Sequence, residues 1–173
     1  MSLHIIIDGY NLIRQSDTFR SLDRRSMQRG REALVDMLAA YRKIKSHTIT
    51  VVFDGAQAPP LSQQKDRVKG IIIVFSRYGE SADTVIKRLA RKERQKALVV
   101  SSDREVVGAA ESYGAATIGT EAFENKIALA RQMDGTAIEQ DSHKSWKPTT
   151  KKKGPSRRLS KRKRRNRVKI KKL

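Results

Sequence analysis

Five apolar runs punctuate the first two thirds of the chain, at residues 3–7, 49–53, 71–75, 97–100 and 115–118. Each is strand-sized, rich in Ile, Val or Ala, and shows little polar alternation. That pattern marks strands covered on both faces, as in a parallel sheet flanked by helices. The intervening segments predict helices over 24–45, 82–95, 104–113 and 121–133. In the first of these, Leu34, Val35, Leu38, Ala39 and Ile44 recur at helical spacing. The resulting order, β-α-β-β-α-β-α-β-α, predicts an α/β fold, a three-layer sandwich with a mostly parallel central sheet. Residues 54–69, rich in Pro and Gln, are expected to form a mobile loop.

Charge divides the chain in two. Of a net +20, residues 144–173 contribute 16 Lys or Arg and no acid, leaving 22 basic and 18 acidic residues, net +4, before them. The reading therefore separates a folded domain over 1–135 from a basic tail over 136–173. The tail has too few apolar residues for a core and is expected to be disordered. A solubility tail needs less charge of one sign than this, and an anionic membrane would call for an aromatic and Leu-rich face that the tail lacks. A nucleic acid suits it better, because each neutralised phosphate releases counterions and yields salt-sensitive, largely sequence-blind affinity. The absence of Cys excludes thiolate nucleophiles, disulfides and zinc–sulfur sites. No apolar stretch reaches the ~20 residues of a membrane span. The expectation is a soluble, cytoplasmic protein.

The candidate chemistry lies where the strands end. In an open parallel sheet, ligands bind beyond the carboxyl ends of the strands. Asp8 follows the first strand, Asp54 the second and Asp103 the fourth, while Asp83 falls in the first turn of the helix after the third. Singly, each has a structural explanation. Asp54-Gly55 is a turn pair, Asp83 complements a helix dipole behind Ser81, and Ser102–Glu105 matches a capping box with Asp103 at the first helical position. Collectively they place like charges at one rim. At ~5 Å and an effective dielectric of ~20, each pair costs about 3 kcal/mol. A divalent cation relieves that cost, and hard oxygen donors without His or Cys select Mg²⁺ or Mn²⁺. Such a site activates water and stabilises charge on a phosphoryl group.

Nearby residues suit a phosphodiester. Gly9 is expected to permit a sharp turn after Asp8. Asn11 can orient a carboxylate or donate to phosphate, and Ser102 can hold a bound water, although a turn or cap role explains either. Arg14, Arg77 and Arg104 can clamp phosphates. Glu80 is a possible further acid. There is no GxxxxGK[ST] motif and no GxGxxG after the first strand, and His4, His47 and His143 are too scattered for a triad or a histidine cage.

The motifs IIIDGYNLI, VVFDG, ESADTVIKRLA and LVVSSDREV, in this order, resemble the NYN domains of the YacP-like group, relatives of PIN-domain nucleases. The resemblance covers residues 3–132 and leaves the tail outside it. It implies a PIN-like fold and a metal-dependent endoribonuclease using Mg²⁺ or Mn²⁺, with the acidic site at Asp8, Asp54, Asp83 and Asp103 and with Asn11 as polar companion of Asp8. Resemblance to the PIN group further implies in-line attack by water and products with a 5′ phosphate and a 3′ hydroxyl. The tail would then concentrate RNA or anchor the enzyme on a ribosome-like particle. The competing expectation is a non-catalytic RNA-binding or ribosome-associated protein in which the tail alone supplies function. A structure-specific DNA nuclease is a third.

Overall fold

The computed structural model describes residues 2–58, 64–136 and 160–173. Its strands are β1 (His4–Asp8), β2 (Thr48–Phe53), β3 (Lys65–Val68), β4 (Ile71–Phe75), β5 (Ala97–Val100) and β6 (Ala116–Ile118). They form one sheet in the order β3-β4-β2-β1-β5-β6, parallel except for the antiparallel edge pair β3-β4. Helices α1 (Gly9–Gln15), α2 (Asp17–Arg25), α3 (Met27–Ile44), α4 (Ala82–Glu93), α5 (Arg104–Ser112), α6 (Thr120–Thr136) and α7 (Lys161–Ile170) complete the described elements.

The apolar runs lack alternation because both sheet faces are covered. Successive strand residues point to opposite sides. Ile5 and Ile7 therefore meet Leu12, Leu34, Leu38 and Phe123, from α1, α3 and α6. Ile6, between them, joins Val52, Val99, Val85, Ile86, Val106 and Ala110, the last four from α4 and α5. All three Ile side chains of β1 are fully buried, each burial contributing roughly 1.5–3 kcal/mol. The expected three-layer α/β sandwich is the observed fold.

β1 is central, with β2 on one side and β5 on the other. The chain builds outward from β1 through β2 to β4, then returns across the sheet to β5. The order thus reverses beside β1, the topological switch point at which α/β sheets open a crevice.

Several elements differ from expectation. The helix expected over 24–45 is two, α2 and α3, parted at Ser26, and α1 precedes both. Ser16 closes α1 and N-caps α2 by accepting from the Phe19 amide at 3.4 Å. Helices of seven and nine residues are too short for a clear apolar period. The expected loop over 54–69 contains β3, a fully exposed edge strand with no apolar signature. It is joined to β4 by Lys69 (φ 51°) and Gly70 (φ 83°), a primed turn with Lys where Asn or Asp is usual. Residues 59–63 of that loop lie outside the described residues.

The tail also departs from expectation where it is described. Residues 161–170 are helical, not disordered, and α7 packs against β6. Leu173 is buried in the core beneath Tyr41, whose hydroxyl donates to the Leu173 carbonyl at 3.0 Å. Counting charge missed the few side chains, Asn166, Ile170 and Leu173, that give this segment a packing face. Residues 137–159, and with them the expected domain boundary, are outside the described residues. No helix among the described residues is long and apolar enough to cross a membrane.

Candidate active site

Asp8 is the last residue of β1 and the N-cap of α1. Its Oδ1 accepts from the Asn11 amide at 3.2 Å and its Oδ2 from the Ser101 hydroxyl at 3.3 Å. Burial pushes its pKa up to about 6, Asp83 and Asp103 add to the rise, and the two hydrogen bonds oppose it. Gly9 follows not to supply a turn, since it opens α1, but to supply space. A Cβ there would lie 2.3 Å from Cε1 of Phe53.

Asp54 caps the short 3₁₀ turn Gly55–Gln57, its Oδ1 accepting from the Ala56 amide at 2.9 Å. Gly55 crosses so near β4's end that a Cβ would stand 1.9 Å from the Ser76 carbonyl oxygen. Its amide donates to the Ser76 hydroxyl at 2.9 Å, which fixes the backbone carrying Asp54.

Asp103 is the N-cap of α5 itself, one position earlier than the capping-box reading placed it. Its Oδ1 accepts from the amides of Glu105 (2.7 Å) and Val106 (3.2 Å). Asp83 sits in the first turn of α4 behind the N-cap Ser81, as expected. Burial raises its pKa, the charge of Asp103 adds to this, and Lys87 opposes it. Lys87 itself pairs with Glu105 at the margin of the site.

These four aspartates, from four separate elements, line one cleft of about 470 Å³ with Tyr10, Asn11, Arg14, Gln15, Ser81 and Ala82. The cleft opens at the carboxyl ends of β1, β2 and β5. Asn11 links two of its sides, its Oδ1 accepting from the Ser102 amide at 3.0 Å. The Arg14 guanidinium lies over the Tyr10 ring at 5.6 Å from its centroid, the one predicted arginine in the lining. Arg77 and Arg104 are exposed and outside that lining, carried away by the loop after β4 and by the outer face of α5. The Ser102 hydroxyl turns to Thr120, 2.9 Å from its Oγ1, and ties the end of β5 to α6. Ser101, which sequence reasoning missed, is the serine that touches Asp8, and it also accepts from the Asp103 amide at 3.1 Å. In consecutive serines that follow β5, the backbone's course sends one side chain inward and the next away, and no sequence signal chose which. Glu80 pairs with Arg88 and does not line the cleft.

Among the described residues, no group of three His, Cys, Asp or Glu side chains stands ready to hold a metal ion as placed. The donor chemistry nonetheless fits a hard divalent cation. The donors are all oxygen, and two of the acids have raised pKa values to which neighbouring acids contribute. Oδ2 of Asp54 and of Asp103 accepts no hydrogen bond among the described residues, nor does either oxygen of Asp83. These are the carboxylate oxygens left free to take a cation.

A family model described as the YacP-like NYN domain matches residues 5–172, so the match runs through the tail and beyond the 3–132 expected. The YacP protein of Bacillus subtilis (strain 168) is 26% identical over 87 residues, 50% of this chain and 51% of that protein. The chain thus spans about half the length of the curated relative it matches. The crystal structure of Rae1 (YacP) from Bacillus subtilis aligns with a TM-score of 0.66 at 22% identity, covering 80% of each chain. That of a mutant of the same protein gives 0.66 at 20% identity, covering 80% of this chain and 82% of that one. Both share this fold.

Proposed function

We propose that this chain, which belongs to the YacP-like NYN domain family, is an endoribonuclease dependent on Mg²⁺ or Mn²⁺ that works at the cleft of Asp8, Asp54, Asp83 and Asp103. The observation that carries this reading is the convergence of four carboxylates from four elements on one cleft at the switch point of the sheet. Capping accounts for Asp8, Asp54 and Asp103 singly but not for their meeting in one cleft with Asp83; burial raises the pKa values of Asp8 and Asp83, and the neighbouring acids add to the rise. Membership of a PIN-like nuclease family supports hydrolysis of RNA phosphodiesters, and so does a polycationic tail on a domain with an acidic cleft.

In this reading the four aspartates hold the cation, which when bound polarises a phosphoryl oxygen and lowers the pKa of water. The chain's own contribution is preorganisation. Backbone amides of Asn11, Ala56, Glu105 and Val106, together with the Ser101 hydroxyl, fix three of the carboxylates before substrate arrives. Asn11 locks the end of β5 against α1. Arg14, which lies over the Tyr10 ring and lines the cleft, would pair with a substrate phosphate. RNA cleavage with Mn²⁺ by the wild type, Asp8→Asn and Asp103→Asn tests the assignment. Cleavage by the wild type alone, abolished by chelation, is expected, and equal rates in all three reject the site.

A further inference from the structure

Helix α7 has two faces of different construction. Toward the sheet it presents Arg162, Asn166, Lys169 and Ile170, followed by Leu173, positions that share one side at helical spacing. Asn166 behaves as a fragment of an additional strand. Its Oδ1 accepts from the Thr117 amide at 3.0 Å and its Nδ2 donates to the Thr117 carbonyl at 3.2 Å. Both ladder groups of an edge residue are thereby satisfied and the free edge of β6 is covered. Arg162 pairs with Glu111 of α5 at 2.9 Å. Beyond the helix, Leu173 is buried, Tyr41 holds its carbonyl, and the Lys172 carbonyl lies 3.3 Å from Nε2 of His47.

The outer side carries a stripe of exposed cations, Arg164, Arg167 and Lys171, with Lys163 exposed on its flank. At 1.5 Å rise per residue they occupy about 12 Å of helix. Among the described residues none of the four has an ionic partner. A folded chain has no internal reason to fix like charges in a row, whereas a phosphate backbone matches a row of that kind. The helix also lies at the far end of the sheet. Its inner residues share a pocket with Gln95 and Gly114, which precede β5 and β6, while the acidic cleft opens where β5 ends. Asn166 bonds Thr117, which pairs with Val99 of β5, so the separation is lateral: the two strand spacings from β6 through β5 to β1 put the helix about 10 Å or more from Asp8.

We infer that α7 is a docking surface for an RNA backbone, held in fixed orientation on the sheet edge by Asn166 and presenting Lys163, Arg164, Arg167 and Lys171 to phosphates remote from the acidic cleft. The choice of RNA over other polyanions rests on the ribonuclease reading; the docking itself stands on charge and geometry. An RNA held by both regions must run along the side of the domain, past the edge of β6. The contacts carry no base information, so the surface orients RNA without choosing its sequence.

The test uses the full chain and a 30-nucleotide single-stranded RNA, with fluorescence anisotropy read in EDTA across a salt series. The fourfold variant Lys163→Gln, Arg164→Gln, Arg167→Gln, Lys171→Gln should lose about tenfold or more in affinity and lower the log K against log salt slope by about 3. A control removing the same charge from exposed Arg20, Arg24, Arg25 and Lys43 should lose clearly less. Asn166→Ala, which keeps every charge, should weaken binding severalfold by releasing the stripe. Equal losses in the fourfold variant and the control, or wild-type affinity in either α7 variant, overturn the inference. Tighter α7-dependent binding to phosphatidylserine vesicles than to RNA overturns the assignment to RNA. Cleavage is scored separately: with Mn²⁺ the fourfold variant should raise KM and leave kcat unchanged. A wild type that binds through α7 but cleaves nothing refutes the ribonuclease reading alone, and one that cleaves but binds independently of α7 refutes this inference alone.

Discussion

The acidic cleft and the α7 stripe both gather like charges, but by different physics. In the cleft, folding draws together side chains from residues 8, 54, 83 and 103, and their repulsion persists because Asp8 is buried. Backbone amides and Ser101 hold Asp8, Asp54 and Asp103 in place against that repulsion. On α7 the charges are neighbours along one helix and face water, where a Debye length of roughly 8–10 Å screens them at little cost. The cleft therefore carries an electrostatic cost that a small hard cation would relieve, whereas the stripe carries almost none and would suit a long polyanion. The difference also assigns labour. An acidic cleft alone repels phosphate, so under the proposed function attraction would come from Arg14 and a bound cation nearby and from α7 at a distance.

Substitutions can separate these two kinds of charge. The largest effect is expected from Asp103→Asn, which should lower kcat for RNA cleavage by at least about 10²-fold with the circular dichroism spectrum unchanged. An unaltered kcat would remove the cleft from the chemistry. Next is Gly9→Ala, which drives a Cβ into the Phe53 ring. Overpacking of this kind should destabilise by about 1–3 kcal/mol in urea melts, showing that the glycine beside Asp8 is there for space.

Asp8→Asn should act in the opposite direction on stability. A carboxyl whose pKa rises to about 6 on folding from about 3.9 unfolded binds its proton more tightly in the native state. Stability of the metal-free protein therefore falls as pH rises from about 4 to 6 and stays low above that window. The neutral variant lacks this penalty and should be about 1–2 kcal/mol more stable than wild type at pH 7, the full shift being reduced by relaxation, with the gap closing near pH 4. Melting curves at both pH values check the sign. The smallest effect is expected from Ser101→Ala, which removes one donor to the Asp8 carboxylate. It should raise the Asp8 pKa further, at under about 1.5 kcal/mol, as read by carboxyl ¹³C NMR titration.

The contrast between the regions also explains what the sequence discloses. The five buried strands and the positions of Asp8, Asp54 and Asp103 were legible because buried parallel strands read as unbroken apolar runs, and an acid just past such a run stands out; Asp83 was legible from its place behind the N-cap Ser81. Ser101 was not legible, because two serines follow β5 and only the backbone's course decides which faces Asp8. The edge strand β3 was hidden by its full exposure, and α1 by its length of seven residues. In α7 the charge was obvious and the structure was not. One Asn and a few apolar side chains among many cations decide its docking, and composition gives them little weight. The family match extending to residue 172 belongs with that docking, since a segment that completes the sheet edge is part of the fold.

Anomalous scattering from crystals soaked in Mn²⁺ tests the central claim most directly. The account predicts a peak in the cleft within about 2.5 Å of oxygens from at least two of Asp8, Asp54, Asp83 and Asp103, with Asp83 and Oδ2 of Asp103 rotated toward it. A cleft with no peak at saturating Mn²⁺, its carboxylates still apart, would contradict it.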